Sequence, residues 1–333
     1  MKVYRPAPLA LFITATLSVL LADLSARAEG APAAVSFKKD AGRLEIWIGD
    51  RTVAAYAYED PSIPRPYFCN VKTLSGVQVT RIHPPDPVVN KGNDDHATFH
   101  PGIWLAFGDL GGKDFWRNKA RVRHVKFVEP FVEGPGAGRF TVVNRYETAE
   151  GLNNPVCEET CSCSVYADAS GYFLTVRSAF RSDKSDFAFG DQEEMGFGVR
   201  LNTPLTVKFG SGSMLNSEGG KDEKGTWGKP ARWCMTAGTM DGKPVSVTLM
   251  TAPDNFRPSW FHTRDYGLMV ANPFGRKALT GPEDTAMAPD TTLVRKGEVF
   301  RLGFGVRVSD SGRASVAEAR GAYEQWLALP GRD

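Results

Sequence analysis

Alternation of apolar and polar residues runs through most of this chain. RLEIWIGDRTVAAYAY (43–58), GVQVTRI (76–82), RVRHVKFV (121–128), RFTVVNRYE (139–147), GYFLTVRSAF (171–180), PVSVTLM (244–250), YGLMVANPF (266–274) and VFRLGFGVRV (299–308) either alternate or run β-branched and aromatic, with turn residues between them. Each predicts a strand. SVAEARGAYEQWLAL (315–329) alone has helical spacing, with Val316, Ala319, Tyr323, Trp326 and Leu327 on one stripe. The expectation is an all-β protein, a large antiparallel β-sandwich with a short C-terminal helix. No fixed-period repeat is present, which disfavours a propeller.

Four loop-rich stretches interrupt the strand pattern: Asp94–Trp116, Gly190–Arg200, Leu215–Trp233 and Asn255–Arg276. With 34 glycines and 22 prolines in the chain, loops are long, and long ordered loops are where sites tend to lie. In the first, His96 and His100 stand four apart, but Gly92-Asn93 and Pro101-Gly102 argue for a loop, so the spacing is a weak metal signal. A histidine there can equally brace the loop through Asp94 or Asp95. IWLAFGD then reads as a strand with space beside Trp104.

The second stretch is the most informative. Period two puts Met195, Phe197, Val199 and Leu201 on a core face and Glu194, Gly196, Gly198 and Arg200 on the opposite one. A carboxylate and a guanidinium flanking two missing side chains describe either a shallow site floor or a solvated face with one surface ion pair. Glu193 points the other way unless a bulge intervenes. In the third stretch, Trp227 and Trp233 sit in polar company where both are not expected to be core, and a half-buried indole suits the apolar face of a sugar ring. The fourth places Trp260, His262 and Arg264 on one side of an extended segment. Lys229 and Asn272 complete the substrate-binding candidates.

Composition adds a setting. Lys2 and Arg5 precede an apolar run from Pro8 to Ala22, and Ala26-Arg27-Ala28 has the small-x-small pattern of a cleavage site, so residues 1–28 read as a signal peptide and 29–333 as one β-sandwich domain. The run is short for a membrane span. Loss of Lys2, Arg5, Arg27 and Asp23 leaves 37 basic and 37 acidic residues, a balance that gives no electrostatic case for nucleic acid or an anionic membrane. The mature protein is expected in the periplasm or outside the cell. There CEETCSC, with Cys157, Cys161 and Cys163, reads first as a disulfide cluster, then as buried free thiols, and last as a metal site; Cys69 and Cys234 stand alone. No phosphate loop and no G-x-S-x-G motif occurs, so no nucleotide cofactor and no serine hydrolase chemistry is expected.

HATFHPGIWLAFGD with GKDFWRNKARV, FGDQEEMGFGVR, LNSEG with EKGTWGK, and RPSWFHTRDYGLMVANPFGRKALTG together resemble the PmoA-like family of secreted bacterial proteins, a domain of unknown function labelled "methane oxygenase PmoA". The resemblance covers roughly Arg65 to Val308. Its label belongs to a membrane-embedded monooxygenase subunit, and this sequence has no such span. Where many relatives carry D-H-x-H-H-R, this chain has Asp95, His96, Ala97, Thr98, Phe99, His100 and Pro101, one histidine and one arginine fewer. The family resemblance implies a sandwich similar to mutarotase and lyase supersandwiches, and its association with carbohydrate-degrading genes implies sugar chemistry.

The reading that follows is an exported carbohydrate-active enzyme using acid–base chemistry, as a lyase, epimerase or hydrolase. Glu194, His96, His100 and His262 are the candidate acids and bases. Arg200, Arg264, Trp104, Trp227, Trp260, Lys229 and Asn272 are the candidates for holding the sugar, with no metal and no cofactor. Two alternatives stay open: a non-catalytic glycan-binding module, which needs only the tryptophans, and a metal-dependent oxygenase, which needs His96, His100 and a third ligand such as Glu194.

Overall fold

In the computed structural model, residues 1, 32–148, 155–281 and 288–330 are described. Except for Met1, the signal-peptide segment lies outside the described residues. No helix among them is long and apolar enough to cross a membrane.

The fold is the large antiparallel sandwich that the alternation implies. The wider sheet has ten strands, in the order Lys229–Ala231, Ser259–Arg264, Leu268–Asn272, Met195–Arg200, Ile103–Phe107, Tyr67–Cys69, Arg51–Ala57, Arg43–Ile48, Ala34–Asp40 and Gly134–Pro135. The narrower has eight: Ser213–Asn216, Trp233–Met240, Lys243–Thr251, Phe300–Ser309, Gly171–Arg181, Cys157–Asp168, Ala137–Glu147 and Arg121–Val132. Phe187–Phe189 and Thr292–Val294 form a small third sheet. Alternate residues of most long strands enter the core between the two sheets, where Phe197 of the wider stacks on Phe304 of the narrower at 5.2 Å and Tyr56 meets Phe140 at 5.4 Å.

Three expectations are corrected. Residues 76–82 form isolated bridges only, Lys72 with Gln78 and Thr80 with Leu201, because the segment passes the end of Met195–Arg200 instead of lying along it. All five cysteines are buried free thiols. Cys157, Cys161 and Cys163 share the core face of one strand, and the Cys161 and Cys163 sulfurs stand 3.6 Å apart, well beyond the roughly 2.05 Å of a disulfide. The helical stripe is narrower than its spacing suggests. On Val316–Leu327, Ala319, Tyr323 and Trp326 are buried against the outside of the eight-stranded sheet beside Phe173, Trp233 and Met250, while Val316 and Leu327 remain exposed. Ser315 caps this helix by accepting from the Glu318 N–H at 3.2 Å.

One further layer positions the site. The outer face of the ten-stranded sheet carries its own apolar cluster, with Ala55, Ala57, Tyr67, Cys69, Trp104, Ala106, Leu268 and Val270 from strands and Ile63 and Trp116 from covering loops. Phe99 and Tyr266 pack on its margin. Both faces of the sheet are therefore covered, one by the second sheet and one by loops.

Candidate active site

Strand register brings the predicted residues into rows, since directly paired residues share a face. His262 pairs with Val270, Val270 with Gly198, and Gly198 with Trp104, so one row crosses four strands. On one side of it Trp260 pairs with Asn272 and Gly196 with Ala106; on the other, Arg264 and Arg200 both pair with Leu268. All of these lie on the outer face, while Met195, Phe197 and Val199 are buried in the main core. Trp260, His262 and Arg264 thus share a side, as the extended reading of their segment requires.

The floor left by the glycines is filled. A Cβ on Gly198 would lie 2.6 Å from the Trp104 ring, so the indole rests directly on the glycine backbone and no ligand lies there. Trp104 is 1% exposed and is a buried wall, which corrects its assignment as a sugar platform. Two rings climb from it toward solvent: His100 stacks on Trp104 with centroids 5.2 Å apart and planes 12° off parallel, and His96 stacks on His100 at 5.2 Å and 24°. Gly196 has a different task. Its φ of +106° suits glycine, and a side chain would strike the Ala271 carbonyl.

His100 is buried at the centre of this stack. Its Nε2 faces the Trp116 indole N–H at 3.3 Å and its Nδ1 faces Arg200 at 3.4 Å. Burial, then the Arg200 cation, then His96 and Arg81 push its pKa well below the ordinary imidazole value, with His262 adding to the same depression. A neutral imidazole accepts at one nitrogen only, so one of these contacts is its hydrogen bond, and the ring, 2% exposed, braces the stack; His100 is withdrawn from the catalytic candidates.

His96 is the exposed end of the stack, its side chain 46% accessible. Its Nδ1 lies 2.6 Å from Asp95 Oδ2, and Asp95 Oδ1 accepts from Arg200 at 2.6 Å, with Arg81 at 3.6 Å. Partial burial works against the Asp95 carboxylate, but the Arg200 cation and the His96 and Arg200 hydrogen bonds outweigh it and hold its pKa below the usual value. Arg200 is wholly buried, donates also to Asn93 Oδ1 at 2.6 Å, and lies under the Tyr266 ring at 4.2 Å. It does not pair with Glu194. The His96 backbone is held at φ +48°, and its carbonyl accepts from the Phe99 and His100 N–H groups and from Arg81.

A second cluster stands on the same face. Glu193 Oε1 accepts from Arg264 at 2.6 Å and from the Trp227 indole at 3.3 Å, and lies 3.1 Å from His262 Nε2. That last approach lacks hydrogen-bond alignment, and Nε2 has no hydrogen-bond partner. His262 Nδ1 faces the Glu193 carbonyl at 3.2 Å, which fixes the proton on Nδ1 and the lone pair on Nε2. Burial lowers the His262 pKa to about 4, although the Glu193 carboxylate pulls it up. Arg264 also lies over the Trp227 ring at 5.5 Å.

The carboxylate assignment is thereby exchanged. Glu194 pairs with Arg117, itself bonded to Asp114, at the far end of the face, whereas Glu193 meets His262 and Arg264. The strand begins at Met195, so period two does not extend back through the bend at 193–194. Gly190-Asp191-Gln192, turn residues just before it, were the sequence signal for that break. Asn272 is fully buried and engaged with backbone: it donates to the Gln192 and Glu193 carbonyls and accepts from Phe274 and Gly275 N–H groups, so it braces the bend and does not face a ligand. Trp227 and Trp260 are half-buried at the rim, and Trp233 is core. Lys229 lies apart, on the edge strand beside a cavity of about 670 Å³ that contains none of the histidines or their carboxylate partners. Among the described residues no group of three or more His, Cys, Asp or Glu side chains is placed to hold a metal ion.

Residues 43–332 match the model of a family described as of unknown function (DUF6807). The PmoA-like resemblance and its label are corrected: the family match is to DUF6807, and the architecture is a large antiparallel β-sandwich and not the fold of a membrane-embedded subunit. No curated protein matches. Among solved structures, an alpha-galactosidase from Lactobacillus brevis is 9% identical with a TM-score of 0.41, over 87% of this chain and 41% of that one. A galactose mutarotase-like protein from Lactobacillus casei is 12% identical at 0.34, over 82% and 99%. A heparan sulfate lyase from Pedobacter heparinus is 8% identical at 0.36, over 85% and 36%. The chain thus spans well under half the length of the galactosidase and of the lyase, and its chemistry rests on its own residues.

Proposed function

This chain belongs to the family of unknown function DUF6807, and from its own side chains we propose that the outer face of the ten-stranded sheet is an acid–base site that moves protons on a carbohydrate, in the manner of a lyase or an epimerase. The observation that carries this is the Asp95–His96 pair. With Asp95 bound to buried Arg200, its other oxygen accepts a hydrogen bond from the Nδ1–H of His96 and leaves the lone pair on Nε2, at the exposed end of the ring stack. A histidine oriented by a fixed carboxylate is a general base for a sugar C–H or hydroxyl. Tyr266, whose pKa burial raises, lies over Arg200 on the same face as a neutral phenol and is the candidate proton donor. Half-buried Trp227 and Trp260 offer ring faces to a pyranose, and Arg264 offers N–H groups to its hydroxyls or carboxylate.

Hydrolysis by paired carboxylates is the weaker reading. That chemistry needs one carboxyl kept protonated. Asp95 is held ionised by Arg200, and Glu193 is tied to Arg264 and Trp227. The N-terminal pattern supports export, which would bring the site to extracellular or periplasmic glycans.

Deuterium incorporation from D2O into a panel of mono- and oligosaccharides, followed by proton NMR, tests the proposal. His96→Gln should lower the exchange rate by about 10²–10⁴-fold, and Asp95→Asn should lower kcat more than it raises KM. Exchange that persists in His96→Gln would remove the base. Binding by the wild-type protein without exchange or turnover would make this face a glycan-binding surface instead.

A further inference from the structure

The cavity beside Lys229 is a separate feature of the molecule. It lies where the Lys229–Ala231 edge of the wider sheet comes close to the end of Ser213–Asn216, the edge of the narrower one, and Tyr323 of the C-terminal helix closes one wall. About 670 Å³ is the volume of a small-molecule site, commonly about 300–1,000 Å³. Tyr323 and Pro258 give it an apolar side.

Three of its polar side chains are cations. Lys229, Arg232 and Arg257 line it against one carboxylate, Glu218. Arg257 is neutralised by Asp290, but Lys229 and Arg232 make no ion pair among the described residues. Asn216 supplies an independent indication. It is 0% exposed, its Oδ1 accepts from the Glu218 and Gly220 N–H groups at 3.1 and 2.9 Å, and its Nδ2 has no hydrogen-bond partner. A buried amide N–H₂ left unpaired is costly, and native proteins retain one mainly where something else completes it.

We infer that this cavity is a second binding site, for a small hydroxylated carboxylate of the hexuronate type: its carboxylate lies toward Lys229 and Arg232, its hydroxyls lie toward Asn216, and the apolar ring face lies on Tyr323 and Pro258. The inference does not depend on the acid–base reading of the outer face, because the two sites share no residue.

Calorimetric titration of the full purified protein with glucuronate and, separately, glucose tests it. Glucuronate should bind and glucose at least about tenfold more weakly. The double variant K229Q/R232Q, altered at two exposed positions and expected to keep the wild-type melting temperature, should weaken glucuronate by about tenfold or more. Asn216→Asp, which keeps the acceptor and replaces the donor by a charge, should weaken it further. His96→Gln should bind glucuronate as the wild type does. Failure of glucuronate to bind, equal affinity for glucose, or undiminished binding by K229Q/R232Q each overturns the inference. Loss of binding in His96→Gln with retention in K229Q/R232Q assigns the ligand to the outer face and overturns it equally.

Discussion

Replacing Gly198 by alanine adds one methyl group under a ring held by two others. An ideal Cβ there falls 2.6 and 2.7 Å from two atoms of the Trp104 indole, closer than real Cβ contacts come. Trp104 has little room to retreat: His100 stacks on it at 5.2 Å and Trp116 meets it edge-on at 5.4 Å. Overpacking of this kind costs about 1–3 kcal/mol, and the displacement passes up the stack to His96. Gly198→Ala is therefore expected to lower the unfolding free energy by that amount, which moves the denaturant midpoint down without changing the slope of the unfolding free energy. Trp104→Phe removes the distal ring that the methyl group strikes, so the same substitution should cost less in that background. The coupling from the double-mutant cycle should exceed the roughly 0.3–0.5 kcal/mol of independent sites. Additive effects within that margin, or a neutral Gly198→Ala, would show that the indole does not rest on the glycine.

Two other outcomes follow from buried groups. The His262 imidazole, with a pKa of about 4 when folded against 6.5 when free, leaves the unfolded chain binding more protons between those values. Its contribution to stability is full above pH 6.5 and falls at up to about 1.4 kcal/mol per pH unit below it, so His262→Gln should lose less stability between pH 6.5 and 5 than the wild type; parallel pH curves refute this. The five free thiols predict a melting temperature indifferent to reductant and five equivalents of thiol reagent consumed only after unfolding, and fewer than five in the unreduced, denatured protein would reveal a disulfide.

How much of this was legible in the sequence depended on whether a local period governed the residue. Along Met195–Arg200 it did, and the core and outer faces follow from alternation alone. Trp260, His262 and Arg264 were equally readable, because their segment is a strand over its whole length. Glu193 and Glu194 were not, because the bend before Met195 ends the period and the carboxylate then goes where Asn272 and His262 hold the backbone. Nor could the sequence show that Gly198 and Trp104 are directly opposite on neighbouring strands, which converts open floor and platform into one closed contact. Arg200 looked like half of a surface pair and is wholly buried, since Asn93 and Asp95 arrive from a loop about a hundred residues earlier. The thiols misled through the compartment expected for them: that expectation allowed a bridge, and a shared strand face withheld it.

The margins of the wide sheet bear on a different matter, the behaviour of the protein among copies of itself. An open sheet invites a stranger's strand along its rim, and ten strands would make a broad template. Here each rim is only two or three residues long and contains a proline, Pro230 at one end and Pro135 at the other, a residue with no N–H to offer. The narrower sheet ends on one side in the four-residue Ser213–Asn216 strand and on the other in Arg121–Val132, whose pairing shifts register twice and which includes Pro130. Crowded solution thus meets short or broken ladders at every border, and the regular pairing that would seed aggregation has no long straight edge on which to begin.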